Sequence, residues 1–406
     1  MPPEANAPSS RPPEAPALRI AGAGLVSPLG FGLWPTFQAL LRGRRITDRM
    51  AQLDDDTEPL PMVAAIGGIA RARHPALDPT IEIAEAAARE AAQDAGVRLG
   101  HDTPVWIGSS KGAVQAMHDF TDAVHQGRTP RWQSQAPATA PHAVLSYELQ
   151  RRLRAPVAGV CAAACASGLV ALHCAAQAMR RTNGPRCAVV LGVDAGFVPS
   201  LIASYRRLGV LARPRHGAYQ QQPFSREAQG FVLSESAAAV VLTAEDRPTR
   251  QGPVLAAAAI GCEAHDIVRP PDPLAVQTRL LQRVWPRHGV VVAHHPHAPG
   301  TPGHDAAEWA ALQRVEHDHG ADPAPLYAVK GALGHSLGAS GMVALAIACA
   351  AMRARRLPPM PWLTGGTIQG LEGRTCATAP VPVDTGSHLV SAAGFGGHAA
   401  SVRIDP

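Results

Sequence analysis

Residues 155–196 read APVAGVCAAACASGLVALHCAAQAMRRTNGPRCAVVLGVDAG. The first segment, APVAGVCAA, has the short apolar pattern of a strand. CASGLVALHCAAQAMRR follows as a helix, TNGP stops it, and CAVVLGVDAG resumes as a strand. A strand, a small-residue turn, a helix and a strand make a βαβ unit, which predicts a mostly parallel α/β sheet. Cys165 falls where the strand hands over to the helix. Unpaired N–H groups and the positive end of the helix dipole meet there, and both favour a thiolate nucleophile. The flanking Ala164, Ala166 and Gly168 leave room for a bulky substrate. A small buried hydrophobe would fit the same alanine run. Cys161, inside the strand, and Cys174, in the helix, read as core packing.

Working outward, LRIAGAGLVSPLG (18–30) predicts a strand that breaks at Ser-Pro, and IEIAEAAAREAAQDAGV (81–97) an amphipathic helix closed by Gly96. PVWIGSS (104–110), GPVLAAAAIGCE (252–263), GVVVAHH (289–295) and LYAVKGALG (326–334) read as strands. GASGMVALAIACAAMRARR (338–356) reads as a helix, and SHLVSAAGFGGHAASVRI (387–404) as a hairpin with glycines at its tip. A strand, a glycine-rich turn and an apolar helix occur at Cys165 and again at His335. Two related halves are therefore expected, 18–250 and 251–406, joined at EDRPTRQG (245–252). The stretch 1–17, rich in Pro and Ala, is expected to be a disordered tail without the apolar region of a signal peptide.

Composition narrows the function classes. The chain has 406 residues, 46% of them apolar and 17% charged, a globular balance. Its net charge is +5, and Lys111 and Lys330 are the only lysines. Aromatic residues make up 4%, so the arginine excess points to an acidic partner and away from nucleic acid. The seven cysteines include no C-x-x-C pair. That argues against a disulfide framework or zinc ribbon and for a reducing, cytoplasmic compartment. The apolar run GMVALAIACAAM from Gly341 is too short to span a bilayer, so no membrane association is expected.

AHHPHAPGTPGHDAAEW (293–309) carries His294, His295, His297 and His304 in a loop broken by Pro and Gly, and KGALGHSLGASG (330–341) sets His335 between glycines. A cysteine and two histidines at strand ends could meet in one crevice of a parallel sheet. A zinc site built from His294, His295, His297, His304 and Asp305 is the competing reading. Zinc ligands usually sit along a helix or at strand ends rather than in a Pro-broken loop. His294, His304, His317 and His319 read as solvated loop residues.

These segments, taken together, resemble the β-ketoacyl synthases, the decarboxylating condensing enzymes of fatty acid and polyketide synthesis. ACASG resembles the segment around the family's nucleophilic cysteine, which falls on Cys165. HAPGTPGHDAAE resembles the family's H-G-T-G-T-P-x-x-D-x-x-E, which places the first catalytic histidine at His297. KGALGHSLGASG resembles K-x-x-x-G-H-x-x-G-A-x-G, giving Lys330 and the second histidine, His335. GFGG (394–397) matches the C-terminal glycine loop, and PFSREAQGFVLSESAAAVVL (223–242) resembles a further family segment. The five occur in family order from about Leu18 to Ile404.

The resemblance implies a thiolase-like α/β fold, two related βαβ halves in a layered α-β-α-β-α sandwich. It implies an acyltransferase that moves an acyl chain from an acyl carrier protein to Cys165 and condenses it, with loss of carbon dioxide, with malonyl-carrier. The N–H groups of Cys165 and Phe395 would hold the oxyanion, with Gly394 and Gly396 shaping the gating loop. His297 and His335 would stabilise the enolate, Thr301 would bind the pantetheine arm, Lys330 would pair with Glu308, and Asp305 would support the loop. No cofactor and no metal is implied. The partners would be acyl- and malonyl-loaded carrier protein and a second subunit, in a homodimer or a heterodimer with a related chain. Arg71, Arg73, Arg206 and Arg207 are candidates for the carrier patch. A chain-length-factor-like partner subunit is the alternative.

Departures from the family pattern carry information. Pro299 replaces a Thr that binds the pantetheine arm, and proline offers no side-chain donor. Ala393 stands for a bulky Phe, Ala399 for an Asn, and EAQG for a charged R-D-G near Gln229. These changes predict a larger cavity and a rigid or bulky acyl chain, as in a type II polyketide or polyene ketosynthase.

Overall fold

The computed structural model describes residues 16–46, 78–128, 140–215, 218–244, 252–269 and 274–406. The expected tail up to residue 15, nearly all of the expected linker, and Arg71 and Arg73 lie outside the described residues.

The first strand, β1 (Leu18–Ser27), carries the small run Ala21–Gly24 between branched residues and is buried along almost its whole length. Helix α1 (Leu33–Leu41) follows, and then α2 (Pro79–Ala95) lies across β1. Asp78 caps α2 by accepting the Thr80 N–H at 2.9 Å, Pro79 pre-sets the first turn, and Gly96 closes the helix in the left-handed conformation. The alanine face of α2 lies so close to β1 that a Cβ on Gly24 would come within 2.3 Å of the Ala87 carbonyl oxygen. Strand β2 (Val105–Gly108), helices α3 (Val114–His125) and α4 (Pro141–Leu153), and strand β3 (Val157–Cys161) come next. The βαβ unit read first in the sequence then closes with α5 (Ser167–Met179) and β4 (Cys187–Asp194).

Helix α6 (Pro199–Arg207) leads to β5 (Ser236–Ala244), and β6 (Val254–Cys262) to α7 (Ala275–Val284). Strand β7 (Val291–His295), helices α8 (Pro302–Asp318) and α9 (Ser340–Ala354), and strands β8 (Ser387–Gly394) and β9 (His398–Asp405) complete the chain. The strands run in the order β7-β8-β9-β6-β1-β5-β4-β2-β3. Among the described strands of this sheet, β7–β8, β4–β2 and β2–β3 pair in parallel and the other pairs are antiparallel. The sheet is therefore mixed rather than mostly parallel, because β5 inserts antiparallel between β1 and β4. Strand β5 has no period-two signature in the sequence, because SAAAVVLTA is buried on both faces.

The two half-sheets touch through the single pair Arg19↔Val254. Helices α5 and α9 pack together between them, α2 covers the outer face of one half and α7 with α8 that of the other. The result is the layered α-β-α-β-α architecture. Every residue of α9 from Ser340 to Ala351 is buried. By length and composition alone Leu337–Ala354 could cross a membrane, yet 83% of it is buried in this middle layer. LYAVKGALG does not form a strand. It makes one bridge at Leu326 and then a helical turn, Lys330–Leu333. Cys161 is not core: β3 is the sheet's edge strand, with Cys161 half-buried and Val160 exposed.

Neighbouring β7 and β8 stack two buried imidazoles, His295 and His388, with ring centroids 5.4 Å apart and Nε2 to Nδ1 at 3.2 Å. The outer nitrogens, His295 Nδ1 and His388 Nε2, have no partner. Burial holds His295 well below the ordinary histidine range and pulls His388 down to about 4. The unfolded chain therefore binds protons first, and stability is lost as pH falls from about 6.5 toward 4. The double variant H295L/H388L should match the parent at pH 7.5 within about 1 kcal/mol, since it trades orphaned polar atoms for apolar ones of similar size. Its urea midpoint should fall less than the parent's between pH 7.5 and 5.5. Raised carboxylates with opposing slopes, such as Asp78, are common to both proteins and cancel in the comparison.

Candidate active site

Strand β3 delivers the chain to a tight elbow before α5. Ala164 takes φ +47°, a conformation costly for a residue with a side chain. Ser167 holds the elbow from inside: its Oγ accepts the Ala163 N–H at 2.9 Å and donates to the Ala164 carbonyl at 2.6 Å. Cys165 thus stands two residues before the first helical residue, as the sequence suggested. The end of β8 presses on it from the other side. A Cβ on Gly394 would lie 2.7 Å from the Cys165 nitrogen, so only glycine fits there. Phe395 follows, and packs with Cys165, Tyr205 and Phe231 in one apolar cluster. One expectation is reversed. Burial pushes the Cys165 thiol up to about 12 and outweighs the nearby Lys330 charge, so the helix terminus does not make it a resting thiolate.

His297 follows β7 in a loop clamped by buried carboxylates. Glu308 accepts the N–H groups of His297 and Ala298, both at 2.7 Å. Asp305 accepts those of Gly300 at 3.0 Å and Phe224 at 2.9 Å, and burial first of all pushes it up to about 7. Gln221 donates to the Pro299 carbonyl at 2.7 Å. Lys330 approaches from the helical turn, donating to the His297 carbonyl and lying 3.4 Å from its Nδ1. The expected Lys330–Glu308 ion pair does not form. Each grips a different part of His297, and Glu308 acts on Lys330 only through its field, opposing the burial that brings the ammonium down to about 8.

His335 Nδ1 accepts the Leu337 N–H at 3.2 Å, with Ser340 Oγ 2.9 Å away. The His335 and His297 rings are 5.5 Å apart, and the edge of Phe231 packs on His335 at 4.8 Å. With each Nδ1 engaged by a donor, the remaining proton of each neutral ring belongs on Nε2. Burial, and then the Lys330 charge, hold both histidines well below their usual range. They are neutral hydrogen-bond donors.

Cys165, His297, His335, Thr301, Gly394, Phe395 and Gly396 line one cavity of about 520 Å³, whose wall also includes Ala393, Ala399, Gln229 and Arg207. Lys330, Glu308 and Asp305 stand behind this wall. The alternative zinc set is dispersed. His294 turns to Glu316 at 3.1 Å in a buried pair completed by Arg374, and His295 turns to His388. Among the described residues no three His, Cys, Asp or Glu side chains are grouped to hold a metal. The loop's composition predicts solvated His294 and His304, and neither is: His294 is buried, and His304 joins the cavity wall, its ring meeting His297 at 5.0 Å.

Asp194, at the end of β4, belongs to none of the sequence motifs and is a buried hydrogen-bond hub. It accepts from Ser109 Oγ at 2.7 Å, Ser110 Oγ at 2.6 Å, the Lys111 N–H at 3.1 Å and the Gly338 N–H at 2.6 Å. A charged residue closing an otherwise apolar buried strand was the available signal.

The models for the N-terminal and C-terminal domains of beta-ketoacyl synthase match residues 19–247 and 253–364. A 3-oxoacyl-[acyl-carrier-protein] synthase 2 of Coxiella burnetii is 25% identical over 84% of this chain and 86% of its own length. Two solved structures share the fold. A chain of a type II polyketide acyl-carrier protein in complex with its ketosynthase bound to the hexaketide superposes with a TM-score of 0.82, at 17% identity, covering 97% of this chain and 99% of that one. A chain of the ishigamide ketosynthase/chain length factor gives 0.78, at 21% identity over 96% and 99%. With the matches running over most of its length and the cysteine and both histidines opening on one cavity, this chain belongs to the β-ketoacyl synthase family.

Proposed function

We propose that the protein is an elongating ketosynthase that condenses an acyl chain held on Cys165 with a malonyl unit brought by an acyl carrier protein. One observation carries this reading: two neutral imidazoles have their Nδ1 atoms occupied and lie on the cavity of a buried cysteine. In the first half-reaction the Cys165 sulfur attacks the acyl thioester carbon. Its proton leaves with the departing carrier thiolate, and the N–H groups of Cys165 and Phe395 hold the oxyanion. In the second, the malonyl carbon–carbon bond to the carboxylate breaks and carbon dioxide leaves. The electron pair becomes an enolate whose oxygen takes hydrogen bonds from His297 and His335 Nε2–H. The carbanion attacks the acyl-Cys165 carbon, and the expelled thiolate, strongly basic in its buried setting, takes up a proton.

Ala393 and Ala399 on the cavity wall support a bulky or rigid acyl chain, in secondary metabolism rather than in bulk fatty acid elongation. Arg207, at the cavity, supports docking of an acidic carrier. The edge strand β3, with exposed Ala158 and Val160, supports a dimer formed by strand addition, with a second copy or a related subunit. The free cysteines support a reducing cytoplasmic setting. The test is intact-mass spectrometry of the carrier after incubation with acyl-carrier and malonyl-carrier. A β-ketoacyl product is expected. Loss of carbon dioxide without condensation, or no reaction, would favour the partner-subunit reading.

A further inference from the structure

Beside His297 the cavity holds an imidazole that the chemistry above does not use. His304 sits in the first turn of α8, two residues after Pro302 and beside His297. Its ring lines the cavity, and its Nδ1 is buried without a hydrogen-bond partner, 3.9 Å from Glu308 Oε2. That carboxylate, already accepting the Ala298 N–H, draws the ring proton to Nδ1. The Nε2 lone pair is then the ring's polar feature toward the cavity. Around His297 the wall therefore sets two imidazole donors, His297 and His335, beside an imidazole acceptor. The enolate uses the donors. The acceptor calls for an N–H or O–H group on whatever enters. A pantetheine thioester carries such a group: its first amide N–H lies two methylenes from the sulfur. Pro299, across the same loop, has neither a side-chain donor nor an acceptor.

Resting on the ketosynthase reading, we propose that His304 is a positioning residue that accepts a hydrogen bond from the amide N–H of the pantetheine arm and so sets the depth at which the thioester carbonyl meets Cys165. Burial, followed by the Lys330 charge, brings His304 down to about 4, so the ring is a neutral acceptor at working pH.

The experiment follows acylation of Cys165 by intact-protein mass, comparing hexanoyl-pantetheine with S-ethyl hexanethioate, which has no amide. The wild type should prefer the pantetheine thioester. In His304→Ala that preference should fall about tenfold, the size of one neutral hydrogen bond in a dry site, while the rate with the ethyl thioester stays within twofold. His304→Gln, which keeps an acceptor, should recover part of the preference. An unchanged preference in His304→Ala, or an equal slowing with both thioesters, would overturn the proposal, the latter marking a merely structural role. If the wild type takes an acyl group from neither thioester, the ketosynthase reading fails. The arm contact is then read by calorimetry with acetyl-pantetheine: weaker binding to His304→Ala supports it, and equal binding refutes it.

Discussion

Cys165→Ala is expected to carry no acyl group and to lose condensation by at least about 10³-fold, because the variant removes the one cysteine sulfur among the described residues of the cavity wall, the atom that takes the chain covalently. It should stay folded. The side chain is buried among apolar neighbours, and replacing a thiol by hydrogen leaves a small void costing on the order of 1 kcal/mol. The elbow itself is held by Ser167 and by glycine at position 394, not by the sulfur. The two histidines belong to other loops, so loss of carbon dioxide from malonyl-carrier should persist in the variant. Carrier mass should then show acetyl-carrier accumulating while the protein mass stays unmodified. A variant that still formed β-ketoacyl product would remove Cys165 from the nucleophile's role.

Lys330→Met should strike the other half of the reaction. The ammonium is the donor beside His297 Nδ1 and also grips that residue's carbonyl. Methionine keeps the length and the apolar stem and removes both donors. His297 is then free to carry its proton on Nδ1, which turns an Nε2 lone pair toward the enolate oxygen where a donor is needed. A misassigned donor in a preorganised site costs about 10²–10³ in rate, so decarboxylation should fall by that factor. Acylation of Cys165 should change far less. The pH profile distinguishes this from a folding defect. Lys330 is brought down to about 8 by burial, so wild-type decarboxylation should decline as pH rises through 8 and the ammonium is lost. The variant, which has nothing to titrate there, should be slow and flat across the same range. A variant with wild-type decarboxylation would show that Lys330 only fills space.

Much of this was legible in the sequence because it depended on local chemistry. The stop at TNGP, the glycine cap at Gly96 and the Gly-Phe-Gly-Gly tip all depend on backbone preferences that a few residues express. Cys165 was legible for the same reason: the elbow is built from its immediate neighbours. What stayed hidden depended on distance in sequence and on burial. Strand β5 has no alternation because both faces are covered. The resting state of the Cys165 thiol could not be read from helix position alone, since desolvation by distant residues dominates it. Glu308 and Lys330 share a site without touching, a distinction of a few ångströms that no spacing encodes. His304 looked like one more polar residue in a Pro-Gly loop until α8 turned it inward.

The Asp194 cluster has a consequence for evolution and for engineering. Its carboxylate comes from the first half of the chain, and one of its donors, the Gly338 amide, from the loop that carries His335 in the second. The nucleophile's half and the histidines' half are therefore latched at this buried charge, as they are again where Asp305 accepts the Phe224 N–H. Recombination between relatives that exchanged one half without the matching latch would leave that charge short of a donor in a dry interior. Crossovers near residue 250 should be productive only when the parents agree at Ser109, Ser110, Asp194 and the backbone path through Gly338. Small shared knots of this kind constrain which halves can be exchanged as directly as the packing of the two sheets does.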